Sequence, residues 1–161
     1  MSRPCVHADA ISPVPPPASG CETCLEIGDT WVHLRQCLIC GRTLCCDDSP
    51  NRHMSRHAHA DGHPIMRTAE PDEDWVFCFR DDALVRETAA GGWEAFDWYV
   101  EEGLEAATAH LAAGGALDDA TLAAEHQELA QWVGHVRAKH ATGALDAADA
   151  SAIEALPGWT W

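Results

Sequence analysis

The second half of the chain carries an apolar residue at every third or fourth position. From residue 93 onward the intervals are three, four, four, three and four, the period of one helix face. The residues that follow this pattern are Trp93, Phe96, Val100, Leu104, Ala107 and Leu111. Gly114 and Gly115 are expected to end this first helix.

Two more helices are predicted after it. Asp118 or Asp119 caps the second, which stops near Gly143. Its inward residues are Leu122, Leu129, Trp132 or Val133, and Val136. Asp146 caps the third, with Asp149 three residues later as in a capping box. The third helix turns Ile153 and Leu156 inward and stops at Pro157 and Gly158. Short loops between three helices predict a three-helix bundle over residues 93–161.

The first half contains only short elements. Alternating or β-rich segments predict strands at residues 31–34, 63–67 and 75–79. Ser49 and Pro50 resemble an N-cap followed by a first helical residue, so a helix is expected from Asn51 to about Ala60, ended by Gly62. Ala89 to Gly92 is expected to be a linker, giving an α+β chain with domains at 1–88 and 93–161.

Cysteines and histidines at regular intervals dominate the first half. Two Cys-x-x-Cys pairs are followed by one further cysteine and three histidines: Cys21, Cys24, Cys37, Cys40, Cys45, His53, His57 and His63. Eight such ligands suffice for two tetrahedral zinc ions. His53 and His57 lie four residues apart on one helix face, so spacing alone allows them to share an ion. Scattered core cysteines would not produce this spacing, and a small module needs metal binding in place of a large core.

Composition limits the compartment and the partners. The chain shows neither a basic and apolar leader nor an apolar run of about 20 residues, so a cytoplasmic location without membrane contact is expected. Its single lysine, Lys139, among many alanines and arginines favours a bacterial source. The net charge is −16. Such a surface repels the phosphate backbone of nucleic acids.

Residues 5–82 resemble the ubiquitin-protease-type (UBP) zinc finger. The likeness rests on a Cys-x-His motif at Cys5 and His7, the two Cys-x-x-Cys pairs, and the His-x3-His-x5-His series. The resemblance implies a small finger with a short antiparallel sheet and a helix. It also implies interleaved ligands, with Cys21, Cys24, Cys45 and His53 on one ion and Cys37, Cys40, His57 and His63 on the other.

A third zinc ion is expected by the same resemblance. In members with several ions, the Cys-x-His motif joins a late Cys-x-x-Cys. Here the late pair is Cys78 and Asp81, and a carboxylate oxygen is an acceptable zinc ligand. The expected third site is therefore Cys5, His7, Cys78 and Asp81. Cys46 remains without a partner, either as a small buried thiol or as an alternative to Cys45.

Many members of this family bind the free C-terminal tail of ubiquitin through aromatic residues and an arginine. The aromatic positions correspond to Trp31, Phe77 and Phe79. The arginine position falls on Asp47 and Asp48, which would repel the tail's carboxylate. The resemblance therefore implies a degenerate pocket, and ubiquitin is not an expected partner.

The C-terminal forty residues are similar to the helicase-associated repeat of bacterial helicases. The likeness is carried by the segments around Trp132, Gly143 and the Leu156–Trp161 end. The repeat is associated with nucleic acid, but residues 83–161 hold only three basic side chains against thirteen acidic ones. We expect Trp132, Trp159 and Trp161 to pack the bundle rather than to stack on bases.

Three functions were compatible with these patterns. The favoured one is a zinc-binding protein-interaction module with a protein partner of unknown identity. The alternatives are a helper associated with nucleic acid through the helical domain, and a hydrolase or redox enzyme. Closed four-ligand zinc sites lack the open position of a catalytic zinc, so no enzymatic activity is expected.

Overall fold

The computed structural model describes residues 3–161, which form strands and helices in two compact units. One unit comprises residues 4–95 and is called the finger unit below. The other contains residues 96–161 and is called the helical unit. In the described part of the chain, no helix is both long and apolar enough to cross a membrane.

From Arg3 onward the chain forms a sheet of seven strands in the order β1-β7-β6-β5-β4-β2-β3. The strands are β1 (Arg3–Pro4), β2 (Leu34–Cys37), β3 (Thr43–Cys45), β4 (Ile65–Thr68), β5 (Val76–Cys78), β6 (Ala83–Glu87) and β7 (Trp93–Phe96). The run from β3 through β2, β4 and β5 to β6 is antiparallel throughout. The fold class is α+β as predicted, but the sheet is larger than the short one expected.

Two α-helices and a 3-10 helix complete the finger unit. The 3-10 helix covers Val6–Ala10, and the α-helices are α1 (Glu22–Ile27) and α2 (His53–Asp61). Gly62 ends α2 in the left-handed conformation, with φ at 68°. The predicted start of α2 is wrong, because the Ser49 hydroxyl accepts the N–H of Val32 instead of capping the helix.

The first strand prediction is also displaced. The strand was predicted to begin at Trp31, but β2 begins at Leu34. Its register is set by the pairing of Leu34 with Cys45 and of Cys37 with Met66. Trp31 lies before the strand, over Gly20. A Cβ atom on Gly20 would lie 2.9 Å from the Trp31 ring, so this close packing requires glycine.

Alternation along β4 and β5 gives the finger unit a core on each face of the sheet. Ile65 pairs with Cys78 and points into a cluster that includes Val85. Met66 pairs with Phe77 on the opposite face, in a cluster that includes Met54. Both clusters also contain cysteines of the predicted metal sites. The apolar packing and the thiol groups are thus continuous.

The helical unit has four α-helices, where three were predicted. They are α3 (Trp98–Ala112), α4 (Asp119–Glu125), α5 (Gln127–Ala141) and α6 (Ala147–Glu154). The second predicted helix is divided at His126, whose φ and ψ are −138° and 64°. Its ring packs edge-on against His110, with centroids 4.5 Å apart. A three-helix bundle is therefore not what the chain forms.

The predicted start of the first long helix is wrong as well. Residues 93–96 form strand β7, and the expected linker is a tight turn in which Thr88 N–H donates to Gly92 O. Helix α3 begins after Asp97, whose carboxylate accepts the N–H groups of Tyr99 and Val100. Burial would raise the pKa of Asp97, but hydrogen bonds from Lys139 and Val100 outweigh it and lower that pKa.

Trp132 is the centre of the helical core, with 2% of its surface exposed. Its indole N–H donates to Val100 O over 3.3 Å, so the buried ring leaves no unpaired donor. Trp159 packs against the same core as predicted. Trp161 differs from the expectation, since it is 38% exposed and stacks on His140 at 3.9 Å.

We predict that Gly103→Ala destabilises the helical unit by about 1–3 kcal/mol, the range of overpacked cores. A Cβ atom at position 103 would lie 1.9 Å from the Trp132 ring, so α3 and α5 would have to separate. Gly134→Ala in α5 is the matched control. Its Cβ would meet nothing within 4 Å, so we expect a gain of about 0.5–1 kcal/mol. Chemical denaturation measures both, and equal effects would contradict the packing argument.

Candidate metal centres

The first group of ligand side chains joins the start of α1 to the start of α2. It contains Cys21, Cys24, Cys45 and His53, whose ligand atoms all lie within 4.8 Å of one another. His53 Nδ1 lies 3.4 Å from both Cys21 Sγ and Cys24 Sγ and 3.5 Å from Cys45 Sγ. A tetrahedral zinc site with ordinary bond lengths separates nitrogen from sulfur by about 3.5 Å. The group has the dimensions of a zinc site.

The electrostatics of this group favour a bound cation. Burial, together with hydrogen bonds to Cys21 and Cys45, raises the pKa of the Cys24 thiol to about 12. Burial also lowers the pKa of His53, which keeps the imidazole neutral. Three adjacent thiolates are therefore unfavourable until a divalent cation neutralises them. The backbone N–H groups of Cys24 and His53 point at ligand sulfurs and help to orient them.

The second group lies at the turn after β2 and along α2. Its members are Cys37, Cys40, His57 and His63. His57 Nε2 lies 3.3 Å from Cys40 Sγ and 3.3 Å from His63 Nδ1. His53 and His57 thus belong to different groups, although they are one helical turn apart. The structure places them in the interleaved arrangement that the family resemblance implied.

Asp61 holds the His57 ring from the side opposite to this group. Its Oδ2 lies 2.7 Å from His57 Nδ1, an i,i+4 pair on α2. A carboxylate this close to the second ring nitrogen favours a proton on Nδ1, the tautomer that leaves Nε2 free to bind a metal. Burial lowers the pKa of His57 despite this pair, so the ring stays neutral and able to ligate. The sequence interpretation missed Asp61, although its i+4 spacing from His57 was a usable signal.

The third group connects the two ends of the finger unit. Cys5 precedes the 3-10 helix, Cys78 ends β5, and His7 and Asp81 complete the set. His7 Nδ1 lies 3.1 Å from Asp81 Oδ2 and 3.6 Å from Cys78 Sγ. Residues more than 70 positions apart are thus brought within ligand distance, as the third-site prediction requires.

Burial governs the ionisation of this group too. It raises the pKa of the Cys5 thiol to about 12, and the hydrogen bond to Asp81 adds to the effect. Burial would also raise the pKa of Asp81, but hydrogen bonds from Cys5, His7 and Cys78 outweigh it and lower that pKa. Asp81 is therefore an ionised oxygen donor among two thiols and an imidazole, a donor set that zinc accepts.

Cys46 lies outside all three groups. It is buried, with 6% of its surface exposed, and its Sγ lies 3.4 Å from Ser49 Oγ. The neighbouring Cys45 occupies the ligand position instead. Of the two alternatives left open by the sequence, the structure places Cys46 as a small buried thiol.

The aromatic residues of the predicted tail pocket are partly buried. Trp31, Phe77 and Phe79 pack against the core that contains Met54 and Met66. The Phe77 and Phe79 rings meet edge-on at 5.3 Å. Beside them, Arg35 covers the Trp75 ring at 4.6 Å, a cation–π contact that the sequence interpretation missed.

The acidic residues at the predicted arginine position are exposed to solvent. Asp47 and Asp48 follow β3 after one residue, and neither forms an ion pair among residues 3–161. A carboxylate ligand approaching this edge would meet two negative charges. Both acidic side chains therefore lie at the surface of the fold.

Comparisons with known proteins found a matching family model and a similar solved structure. Residues 21–90 match the family model described as the zinc finger in ubiquitin hydrolases and other proteins. The solution NMR structure of protein RPA1320 from Rhodopseudomonas palustris is 50% identical, covers 52% of this chain and 82% of its own, and has a TM-score of 0.47. No curated protein matches the chain. The match over residues 21–90, together with the cysteine and histidine groups, supports a UBP-type zinc finger that binds zinc.

Proposed function

We propose that the protein is a zinc-stabilised protein-interaction module that holds three zinc ions and has no catalytic activity. The supporting observation is that each of the three groups supplies four ligand side chains. Four protein ligands complete a tetrahedral zinc ion and leave no position for water or substrate. Ions of this kind stabilise a fold, so the function is carried by the surface that they hold in place.

The exposed surface of the finger unit supports a role in binding proteins. Leu25, Ile27 and Val32 are 63%, 58% and 53% exposed, and they fall within eight residues of sequence in α1 and the loop that follows it. Leu25 and Trp31 both lie against Gly20, which connects these side chains to the aromatic packing. Exposed apolar side chains of this size are candidates for contact with a partner protein.

The helical unit gives no support to nucleic-acid binding. Residues 96–161 contain two basic side chains, Arg137 and Lys139, against eleven acidic ones. Both basic groups are paired, Arg137 with Asp119 and Lys139 with Asp97. The likeness of this unit to the helicase-associated repeat, and a bacterial cytoplasmic setting, stay hypotheses.

The first prediction concerns the number of ions. We expect elemental analysis of protein purified without added metal to give three zinc ions per chain. Asp81→Ala should remove or weaken one ion, because it deletes one ligand of the third group, whereas Asp81→Cys should keep all three. Asp74→Ala, at an exposed acid outside the groups, is the control. Two ions in the unaltered protein would contradict the third site.

The second prediction separates ligand from bystander at adjacent cysteines. Cys45→Ser should lose an ion and the tertiary structure of the finger unit, whereas Cys46→Ser should keep both, because only Cys45 belongs to a ligand group.

A strong chelator should likewise unfold the finger unit while α3–α6 retain their far-UV circular dichroism, since no ligand lies in residues 96–161. A single transition of the whole chain would contradict independent folding of the two units.

The third prediction concerns ubiquitin. Loss of a charge-assisted bidentate contact removes roughly 1.5–3 kcal/mol, so we expect binding weaker than about 100 μM for ubiquitin with a free tail. Asp47→Arg should strengthen it, because a guanidinium replaces a repelling carboxylate. Asp74→Arg makes the same charge change elsewhere and is the control. Titration calorimetry measures all three proteins, and tail-dependent micromolar binding by the unaltered chain would defeat the charge argument.

A further inference from the structure

A groove of about 860 Å³ crosses the helical unit between α3 and the corner where α4 meets α5. Its apolar lining includes Tyr99, Ala106 and the buried Trp132. The groove owes its shape to two local features. Gly103 allows the Trp132 ring to lie directly against the α3 backbone, and the break at His126 separates α4 from α5. A cavity of this size is in the range of pockets that hold a ligand, about 300–1,000 Å³.

The charged lining of the groove has one sign. Glu102 on α3, Glu125 at the end of α4 and Glu128 on α5 are all exposed and all line it. No arginine or lysine lines it. Within residues 3–161, none of these three carboxylates takes part in a hydrogen bond or an ion pair. The groove therefore combines an apolar floor with three uncompensated negative charges.

A metal ion is not the occupant that this arrangement favours. His110 and His126 lie in the groove, but His110 Nε2 is within 3.0 Å of Ala116 O. The groups of three or more metal-ligating side chains in residues 3–161 are those of the finger unit, and none includes a groove residue. The carboxylates are spread over three helices, so they suit a ligand with several separated cations.

We propose that the groove binds a segment of a partner protein in which arginine or lysine side chains alternate with apolar ones. The apolar side chains pack against Tyr99 and Ala106, and the cations pair with Glu102, Glu125 and Glu128. Complementary charge sets the register of such a segment and speeds its association. This binding site lies in the helical unit and does not depend on the role proposed for the finger unit.

The test uses the full zinc-loaded chain and an acetylated, amidated peptide of alternating arginine and leucine. Titration calorimetry should show saturable binding with one peptide per chain. Glu102→Gln, Glu125→Gln and Glu128→Gln combined should weaken binding roughly tenfold, since each exposed ion pair contributes about 0.2–1 kcal/mol. The matched control combines Glu26→Gln, Glu87→Gln and Glu105→Gln, which removes equal charge at exposed sites outside the groove. This control should change the affinity less than twofold.

A second pair of variants tests shape rather than charge. Ala106→Phe places a ring in the groove and should abolish binding, whereas Ala109→Phe on the same helix lies outside the lining and should not. Both positions are exposed, so neither change disturbs the core. Equal weakening by the two triple variants would show non-specific attraction to an acidic surface and overturn the proposal. Spermine binding as tightly as the peptide would assign the groove to small amines and overturn it equally.

Discussion

Burial of thiols beside imidazoles is the constraint on which the finger unit depends. Its strands are three to five residues long apart from β1, and its two apolar clusters are each completed by cysteines. Such small clusters cannot by themselves offset the conformational entropy of about ninety ordered residues. The sulfur atoms instead lie at the spacing that a shared cation requires. We therefore expect metal binding and folding to be coupled in this unit.

The three ligand groups also determine which parts of the finger unit are held together. The first joins α1, β3 and α2, and the second joins the turn after β2 to α2 and the loop that follows it. The third joins the segment before the 3-10 helix to the end of β5. Each group thus connects elements that are distant in sequence. In a larger domain, side-chain packing in the hydrophobic core makes such connections. Because α2 supplies His53 to the first group and His57 to the second, it cannot separate without disturbing both.

The sequence indicated the ligand positions because coordination fixes their spacing, whereas it located strands poorly. A Cys-x-x-Cys turn indicates a metal site, and the glycine after α2 indicates the end of that helix. Both features were recognised in the sequence. Strands β3 and β6 were missed because segments of three to five residues show too little alternation to be distinguished from loops. Trp93 and Phe96 fit a helical period and a strand equally well. Only the tight turn at Thr88–Gly92 and the cap at Asp97 decide between them.

In the helical unit, the same residues serve both packing and the groove. Helices α3 and α5 can approach closely because Gly103 has no side chain where the Trp132 ring lies. Asp97 also holds the two helices together, because it caps the N-terminus of α3 and forms an ion pair with Lys139 of α5. The unit's two basic side chains are engaged in pairs with Asp119 and Asp97, so neither is paired with the glutamates along the groove. The ion pairs that join the helices thus also leave the negative potential of the groove unopposed by the unit's two basic side chains.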